Sequence, residues 1–325
     1  MRILQASLVA VAAGICGACV ATSHAALVAY EGFNYVADTQ VGFSLSNTAV
    51  DGGTGWSTNS WEETTGNTPY IQAGSLTFGA LATAGNMLTI GYHSGYNGSG
   101  AYRTLSSSVA NDYTYGGSAT NTMWISELVR QNNAGDQVAM SLGNAQEING
   151  AHYAPVNFGS YASSVAGISG NYYGFSGSNL SSTPVVTGTT AFLVLEMAFN
   201  STNNTVNLTL YVDPTPGLST PAAGTSSTTA NFLSPFSASG AVNLYGNGWS
   251  FDELRFGTTY ADVAPPVPEP APAALLSMAG VVLLLSARRR SRLTFTADDA
   301  GGRCGTASGR PDAMASLSVP VALLA

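Results

Sequence analysis

Residues 26–264 read as one all-β domain of antiparallel strands, a sandwich or a barrel. Three observations predict it. Short segments alternating apolar and polar residues with period two recur from Leu27 to Val263. Clusters of Gly, Asn, Ser and Thr, the residues that turns use, separate them. No stretch in this span carries the 3.6-residue periodicity of an amphipathic helix. Charge narrows the partners. Only 9% of the 325 residues are charged, and all ten basic residues are arginines. Between Ala26 and Ala264 three arginines (Arg103, Arg130 and Arg255) stand against fourteen carboxylates, a net charge of −11. Such a domain is a poor ligand for nucleic acid or any anionic surface. It suits calcium or neutral partners such as glycans.

Taken in order, residues 1–25 form a secretory leader: Arg2, an apolar helix, then the small-x-small site Ser23-His24-Ala25, with cleavage after Ala25 or Ala26. Cys16 and Cys19 would leave with it. The remaining cysteine, Cys304, has no partner left, so the domain has no internal disulfide and depends on core burial. The first strand-like segment is LVAYEGFNY at 27–35. SLTFG at 75–79, MLTIGY at 87–92, TMWISELV at 122–129 and QVAMSLG at 137–143 follow. The clearest pair is AFLVLEMAFN at 191–200 and TVNLTLYVDP at 205–214, a hairpin across Ser201–Asn204. In its second arm Val206, Leu208, Leu210 and Val212 form one apolar face. SFDELRFG at 250–257 closes the domain. The stretches 144–190 and 213–240 read as long connections, with the Pro/Ser/Thr-rich 213–229 a mobile loop.

Beyond the domain lies Val267-Pro268-Glu269-Pro270, then the apolar run Ala271–Ala287, then Arg288, Arg289 and Arg290 with Arg292. This three-part pattern, at the other end from a leader, resembles the PEP-CTERM sorting signal recognised by exosortases in Gram-negative envelopes. The resemblance implies export by the general secretory route, transient retention at the inner membrane, and processing and release to the cell surface or extracellular matrix. An exosortase-type enzyme and the secretion machinery are then partners. The physical reading agrees. Seventeen residues make roughly 25 Å of helix, short of the roughly 30 Å hydrocarbon thickness a stable span must cross. The arginines hold the C-terminal side in the cytoplasm, and the prolines keep the tripeptide extended. The alternative is a permanent single-span anchor. Residues 265–292 are thus the sorting unit, with a short transmembrane helix. The tail 293–325, Gly/Ala/Ser-rich and patternless, is expected to be disordered.

The domain itself resembles the concanavalin A-like (laminin-G-like) jelly-roll sandwiches that often precede this signal. AYEGFNY at 29–35, GGTGW at 52–56 with Trp61, and FDELRFGTTYADV at 251–263 carry the likeness. It implies that the first and last strands, Ala29–Tyr35 and Phe251–Gly257, are neighbours. Parity puts Glu31 on a face with Phe33 and Tyr35, and Asp252 on a face with Leu254 and Phe256. Carboxylates on apolar faces need pairing, hydrogen bonds or a metal, so the two are candidates for a structural Ca²⁺ site. The competing reading ties each acid to loop N–H groups or to Arg103. Trp56, Trp61, Tyr92, Tyr96 and Tyr102 lie in Gly-rich segments and either stack on sugars or cap the sandwich.

Catalysis is not expected. Jelly-roll glycosidases set carboxylates in a Glu-x-Asp-x-x-Glu pattern on one strand, and this sequence has none. His93 and His152 have neither metal-ligand spacing nor a Ser/Asp arrangement. The function expected is a structural or adhesive role in exopolysaccharide, the alternative a carbohydrate-binding module with a defined glycan ligand, and a glycoside-active enzyme comes last.

Overall fold

Among the described residues, period two produces fifteen strands in two antiparallel sheets, the expected jelly-roll type of β-sandwich. The computed structural model describes residues 27–38, 50–57, 60–63, 69–92, 99–112, 122–134, 138–144, 156–162, 170–175, 179–200, 205–222, 226–231 and 240–266. All belong to one compact unit, Val20–Glu269. The leader, Tyr96, Val267, Pro268, Glu269, Pro270, Arg288, Arg289, Arg290 and the tail lie outside the described residues. No described helix is long and apolar enough to cross a membrane.

The larger sheet runs Ser226–Asn231 (β13), Thr205–Val212 (β12), Thr190–Asn200 (β11), Thr122–Gln131 (β6), Trp249–Gly257 (β15), Met87–Ile90 (β4) and Tyr70–Gln72 (β3). Ala29–Glu31 (β1) pairs with the second half of β15, Ala29 opposite Phe256 and Glu31 opposite Leu254. First and last strands are therefore neighbours, as expected. The 191–212 hairpin also forms, in register from Leu193–Val212 to Asn200–Thr205. The smaller sheet runs Leu180–Pro184 (β10), Asn171–Phe175 (β9), Val156–Ala162 (β8), Val138–Asn144 (β7), Gly240–Gly246 (β14), Ser99–Thr104 (β5) and Glu62–Glu63 (β2).

Two apolar clusters hold this arrangement. The main one fills the space between the sheets: Ile125, Leu195, Leu210 and Phe251 from one side meet Met140, Phe158 and Leu244 from the other. The second lies on the outer face of the larger sheet, where Trp124, Leu128, Phe192 and Val194 are covered by Leu76, Leu81, Tyr260 and Val263. Strands β6, β11 and β15 are thus buried on both faces, which is why their sequences run apolar with little alternation.

That second cluster corrects several expectations. SLTFG at 75–79 is not a strand but part of the cover, with Leu76 buried and Phe78 against Phe192 at 5.5 Å. The supposed connection 144–190 contains β8, β9 and β10, and 213–229 runs into β13. Among the described residues two short helices occur, Ser107–Asp112 (α1) and Tyr260–Val263 (α2). The second is set by a capping box between Thr259 and Asp262.

The most consequential departure is in β15. Glu253 has φ +52° and marks a bulge between Asp252 and Arg255. A bulge adds one residue to a strand and reverses the parity beyond it. The core-facing residues therefore change from Trp249 and Phe251 to Leu254 and Phe256. Asp252 does not share the face of Leu254 and Phe256, as simple alternation predicts. It lies on the opposite one, beside Ser75 and Leu76. In the GGTGW segment, Gly55 has φ +78°, and a Cβ there would lie 2.3 Å from the carbonyl oxygen of Val28. Only glycine allows that approach.

Candidate functional site

Glu31 sits at the end of β1, inside the sandwich and 1% exposed. Its Oε1 accepts the Phe33 N–H at 2.9 Å. Its Oε2 accepts from the Tyr35 hydroxyl at 2.6 Å, the Trp61 indole at 3.0 Å and the Arg103 guanidinium at 2.9 Å. Arg103, 2% exposed, also donates to the carbonyls of Asp51 and Gly52 at 2.8 Å and lies over the Trp56 ring. Trp56 and Trp61 pack at 5.6 Å, and Trp56 donates its indole N–H to the Tyr30 carbonyl. Burial and the neighbouring Glu31 carboxylate push the Tyr35 hydroxyl up, so it stays protonated and donates. This is a charged pair with nearly every partner supplied internally, the condition under which a buried ion pair is tolerated.

Asp252 belongs to a separate network. Its Oδ2 accepts from Ser75 Oγ at 2.6 Å and the Leu76 N–H at 2.8 Å, and its Oδ1 accepts the Glu253 N–H at 2.8 Å. Glu253 pairs with Arg255 at 2.5 Å and accepts from the Tyr30 hydroxyl and the Ala84 N–H. These bonds fasten the 75–84 cover to the sheet. They do not suit a cation: both oxygens of Glu31 and of Asp252 already face donors, one of them a guanidinium. Among the described residues no group of three or more His, Cys, Asp or Glu is arranged to hold a metal ion. Glu31 and Asp252 therefore do not fit a calcium site, and the competing reading of internal pairing describes both.

A different constellation lies on the smaller sheet, on the face turned away from the core. In β14 the core residues Val242 and Leu244 alternate with Ala241, Asn243 and Tyr245, which face outward. Register then lines up one polar side chain from each of five adjacent strands. Glu62 is opposite Tyr102, Tyr102 opposite Asn243, Asn243 opposite Ser141, and Ser141 opposite Asn157. At about 4.8 Å between strands the row spans roughly 19 Å. The rows beside it are mostly small residues: Gly100, Tyr245, Ala139 and Gly159 on one side, Thr104, Ala241 and Gly143 on the other. Tyr245 is the one large side chain among these flanking residues.

Within the row, the Tyr102 hydroxyl donates to Glu62, and the Ser141 hydroxyl donates to Asn157. Burial and the adjacent Glu62 push the Tyr102 hydroxyl up to about 12, so it is a donor at any physiological pH. Asn243, in the middle, is 8% exposed, and its Oδ1 has no hydrogen-bond partner. A buried acceptor left unpaired is costly, and here it interrupts an otherwise bonded row. The row can offer donors and acceptors in sequence across the strands, with Tyr245 and Tyr102 supplying half-buried aromatic surface.

The aromatic candidates separate accordingly. Trp61 and Trp56, expected on a rim, are 1% and 9% exposed and belong to the Glu31–Arg103 cluster, so neither presents a ring to a ligand. The glycines around them serve chain approach and not access. Tyr92 is 55% exposed at the end of β4, away from the row. Of the described candidates, Tyr102 alone joins the row. Asn243, Ser141, Asn157, Glu62 and Tyr245 were not singled out by the sequence. Period two in AVNLYG and VAMSLG marks their faces, but only strand register makes them neighbours.

No protein-family model matches the chain, and no curated protein matches it. Several solved structures are similar at low identity. Domain 4 of AbnA, a GH43 extracellular arabinanase from Geobacillus stearothermophilus solved with arabinotriose, is 15% identical, with 74% of this chain and 100% of that one covered and a TM-score of 0.39. Basic winged bean lectin with Tn-antigen is 10% identical over 70% and 95% of the two chains, with a TM-score of 0.34. The GH131 β-glucanase catalytic domain from Podospora anserina is 11% identical over 54% and 75%, with a TM-score of 0.29.

Proposed function

We propose that this chain is an exported, non-catalytic β-sandwich with a structural or adhesive role in exopolysaccharide, which it holds through the outer face of its smaller sheet. The observation that carries the reading is the Glu62–Tyr102–Asn243–Ser141–Asn157 row, in which Glu62, Tyr102 and Asn157 remain half-exposed on the outer face. A polysaccharide offers hydroxyls at regular intervals, and a line of alternating donors and acceptors at strand spacing matches that supply. The row contains one carboxylate, Glu62, whereas glycoside hydrolysis ordinarily employs two, which supports binding without cleavage. Sorting by an exosortase-type system, with release to the surface or matrix, completes the reading. It rests on the Val267–Pro270, 271–287 and Arg288–Arg290 pattern.

The binding test uses the released protein and a panel of neutral polysaccharides in affinity electrophoresis. The double variant Tyr102→Ala/Asn243→Ala should lose affinity about tenfold or more, roughly 1.4 kcal/mol, while keeping the folded circular-dichroism spectrum of the wild type. Retention of full affinity by that variant would reject the row as the site. Saturable affinity for one glycan of the panel would favour a lectin-like module over a general matrix role. Sorting is tested by mass spectrometry of the released protein, in which peptides from 275–287 should be missing.

A further inference from the structure

The apolar cover of the larger sheet buries Met87, Leu128 and Phe192. In the next row along, the outer face carries Tyr70, Thr89, Ser250, Arg130 and Thr190, one from each of five adjacent strands and paired in that order. They alternate with the core residues Ile71, Ile90, Trp249, Val129 and Ala191, so they face away from the core. Hydrogen bonds run through this face in one direction. Arg130 Nε donates to Asn132 Oδ1 at 3.1 Å, and Asn132 Nδ2 donates to the Ser250 hydroxyl at 2.9 Å. Thr89 Oγ1 donates to Gln72 Oε1 at 2.9 Å, so the Ser250–Thr89 bond, also 2.9 Å, has Ser250 as its donor. The groups left over at the two ends are therefore donors: N–H bonds of the guanidinium and of the Gln72 amide.

Between Ala26 and Ala264 three arginines stand among fourteen carboxylates. Arg103 and Arg255 are each paired with one, and Arg130 meets none among the described residues. Its second bond runs from Nη2 to the Met87 sulfur at 3.6 Å, a weak acceptor. The half-buried side chain thus reaches across β15 to β4 and keeps Nη1 free of any described partner. Met87 is opposite Gln72, which places the guanidinium about one strand spacing, roughly 4.8 Å, from the Gln72 strand. Asp252, on the same face two residues along from Ser250, is turned onto Ser75 and Leu76 and does not serve Arg130. The net charge of −11 does not forbid an anion here, because charges farther than about 8 Å are largely screened at physiological salt.

We propose that this face binds the carboxylate of a uronate residue in an acidic polysaccharide, with the Arg130 guanidinium forking the two oxygens and the Gln72 amide donating to a hydroxyl of the same sugar. A planar fork with spare N–H groups is the geometry that carboxylates take. An acidic peptide would dock along a sheet edge, where backbone groups are free. Arg130 instead lies in the middle of five paired strands, where only side-chain donors are on offer, with the half-buried Tyr70 as aromatic surface beside them. The site is independent of the Glu62–Asn157 row and lies on the opposite sheet. It gives the sandwich a second face, one that selects for charge.

The test is calorimetric titration of the purified full chain with hexamers of galacturonate and of mannuronate, and with their methyl esters, which remove the charge and keep the sugar. At least one acid hexamer should bind saturably, and its ester about tenfold or more weakly, the loss of one charge-assisted contact. Arg130→Met, which keeps an aliphatic stem over Met87, should weaken the acid hexamer by a similar factor with an unchanged circular-dichroism spectrum. Gln72→Glu leaves Arg130 in place but sets a competing carboxylate beside it, and should abolish binding of the acid. Tyr102→Ala/Asn243→Ala should leave that binding unchanged, which separates this face from the other. No binding by either acid hexamer, equal affinity for acid and ester, or full affinity in the variant at 130 or at 72 overturns the proposal. A glutamate hexamer that binds as tightly as the sugars would assign the site to acidic peptide and overturns it as well.

Discussion

Replacing Arg103 with methionine should lower the unfolding free energy by about 3–5 kcal/mol, the usual cost of removing one partner from a buried ion pair. Arg103 is 2% exposed and its partner Glu31 1%, so neither charge is screened by water. Without the guanidinium, Glu31 keeps three donors, from Phe33, Tyr35 and Trp61, but has no compensating positive charge. The Asp51 and Gly52 carbonyls also lose their donor, loosening the segment that carries Trp56. Urea denaturation followed by tryptophan fluorescence reads the loss. Arg103→Met/Glu31→Gln should recover part of it, because the stranded charge is gone. A single-variant loss below about 1 kcal/mol would mean that the pair is solvated, contrary to its burial.

Glu127→Leu should act in the other direction, raising stability at neutral and alkaline pH. Glu127 sits on the core-facing side of β6 between Ile125 and Val129, opposite Leu193, and its Oε2 has no hydrogen-bond partner. Among the described residues no arginine pairs with it: Arg103 is paired with Glu31 and Arg255 with Glu253, and Arg130 donates to Asn132 and Met87. The titratable groups facing it are the Tyr161 and Tyr173 hydroxyls, both pushed up by burial and therefore neutral. Burial alone raises the Glu127 carboxyl well above the ordinary glutamate range. The folded protein thus keeps a proton that the unfolded chain releases near pH 4.5. That contribution is complete below about pH 4.5 and is lost as pH climbs toward the folded value, by about 1.4 kcal/mol per pH unit. Asp252, raised to about 8 by burial, slopes the same way. Wild-type stability should accordingly fall between pH 5 and 8, and Glu127→Leu should make the fall shallower without abolishing it. Urea titrations across that interval decide, and a wild-type stability that rises with pH would refute the assignment.

How far these features could be read in advance depends on their range along the chain. The 191–212 hairpin was legible because Leu193, Leu195 and Met197 face Val212, Leu210 and Leu208 across one short turn, so local alternation sets both strands. The pairing of 29–31 with 254–256 was expected from a family resemblance at the two ends of the domain. The polar row was not legible. Glu62, Tyr102, Ser141, Asn157 and Asn243 are scattered over most of the domain, and no local pattern gives five registers at once. For the tryptophans the sequence left stacking on sugars and capping the sandwich both open, because a Gly-rich segment suits either an exposed rim or a close backbone approach. Here the glycines let the backbone approach closely while Trp56 and Trp61 turn inward.

By itself the sequence determined the all-β character, the strand faces before the bulge, the acidity that turns away polyanions, and the dependence on core burial in place of disulfides. These follow from residue chemistry and from a two-residue period, both local properties. Tertiary structure alone decided the rest. One extra residue at Glu253 sent Asp252 to the opposite face of β15, because a single-residue shift inverts every later side chain in a strand. The 75–84 and 258–266 segments sealed part of the outer face of the larger sheet and left the smaller one to carry the polar row. Which side chains meet depends on register between distant strands, a sum of many weak pairings that no single segment encodes.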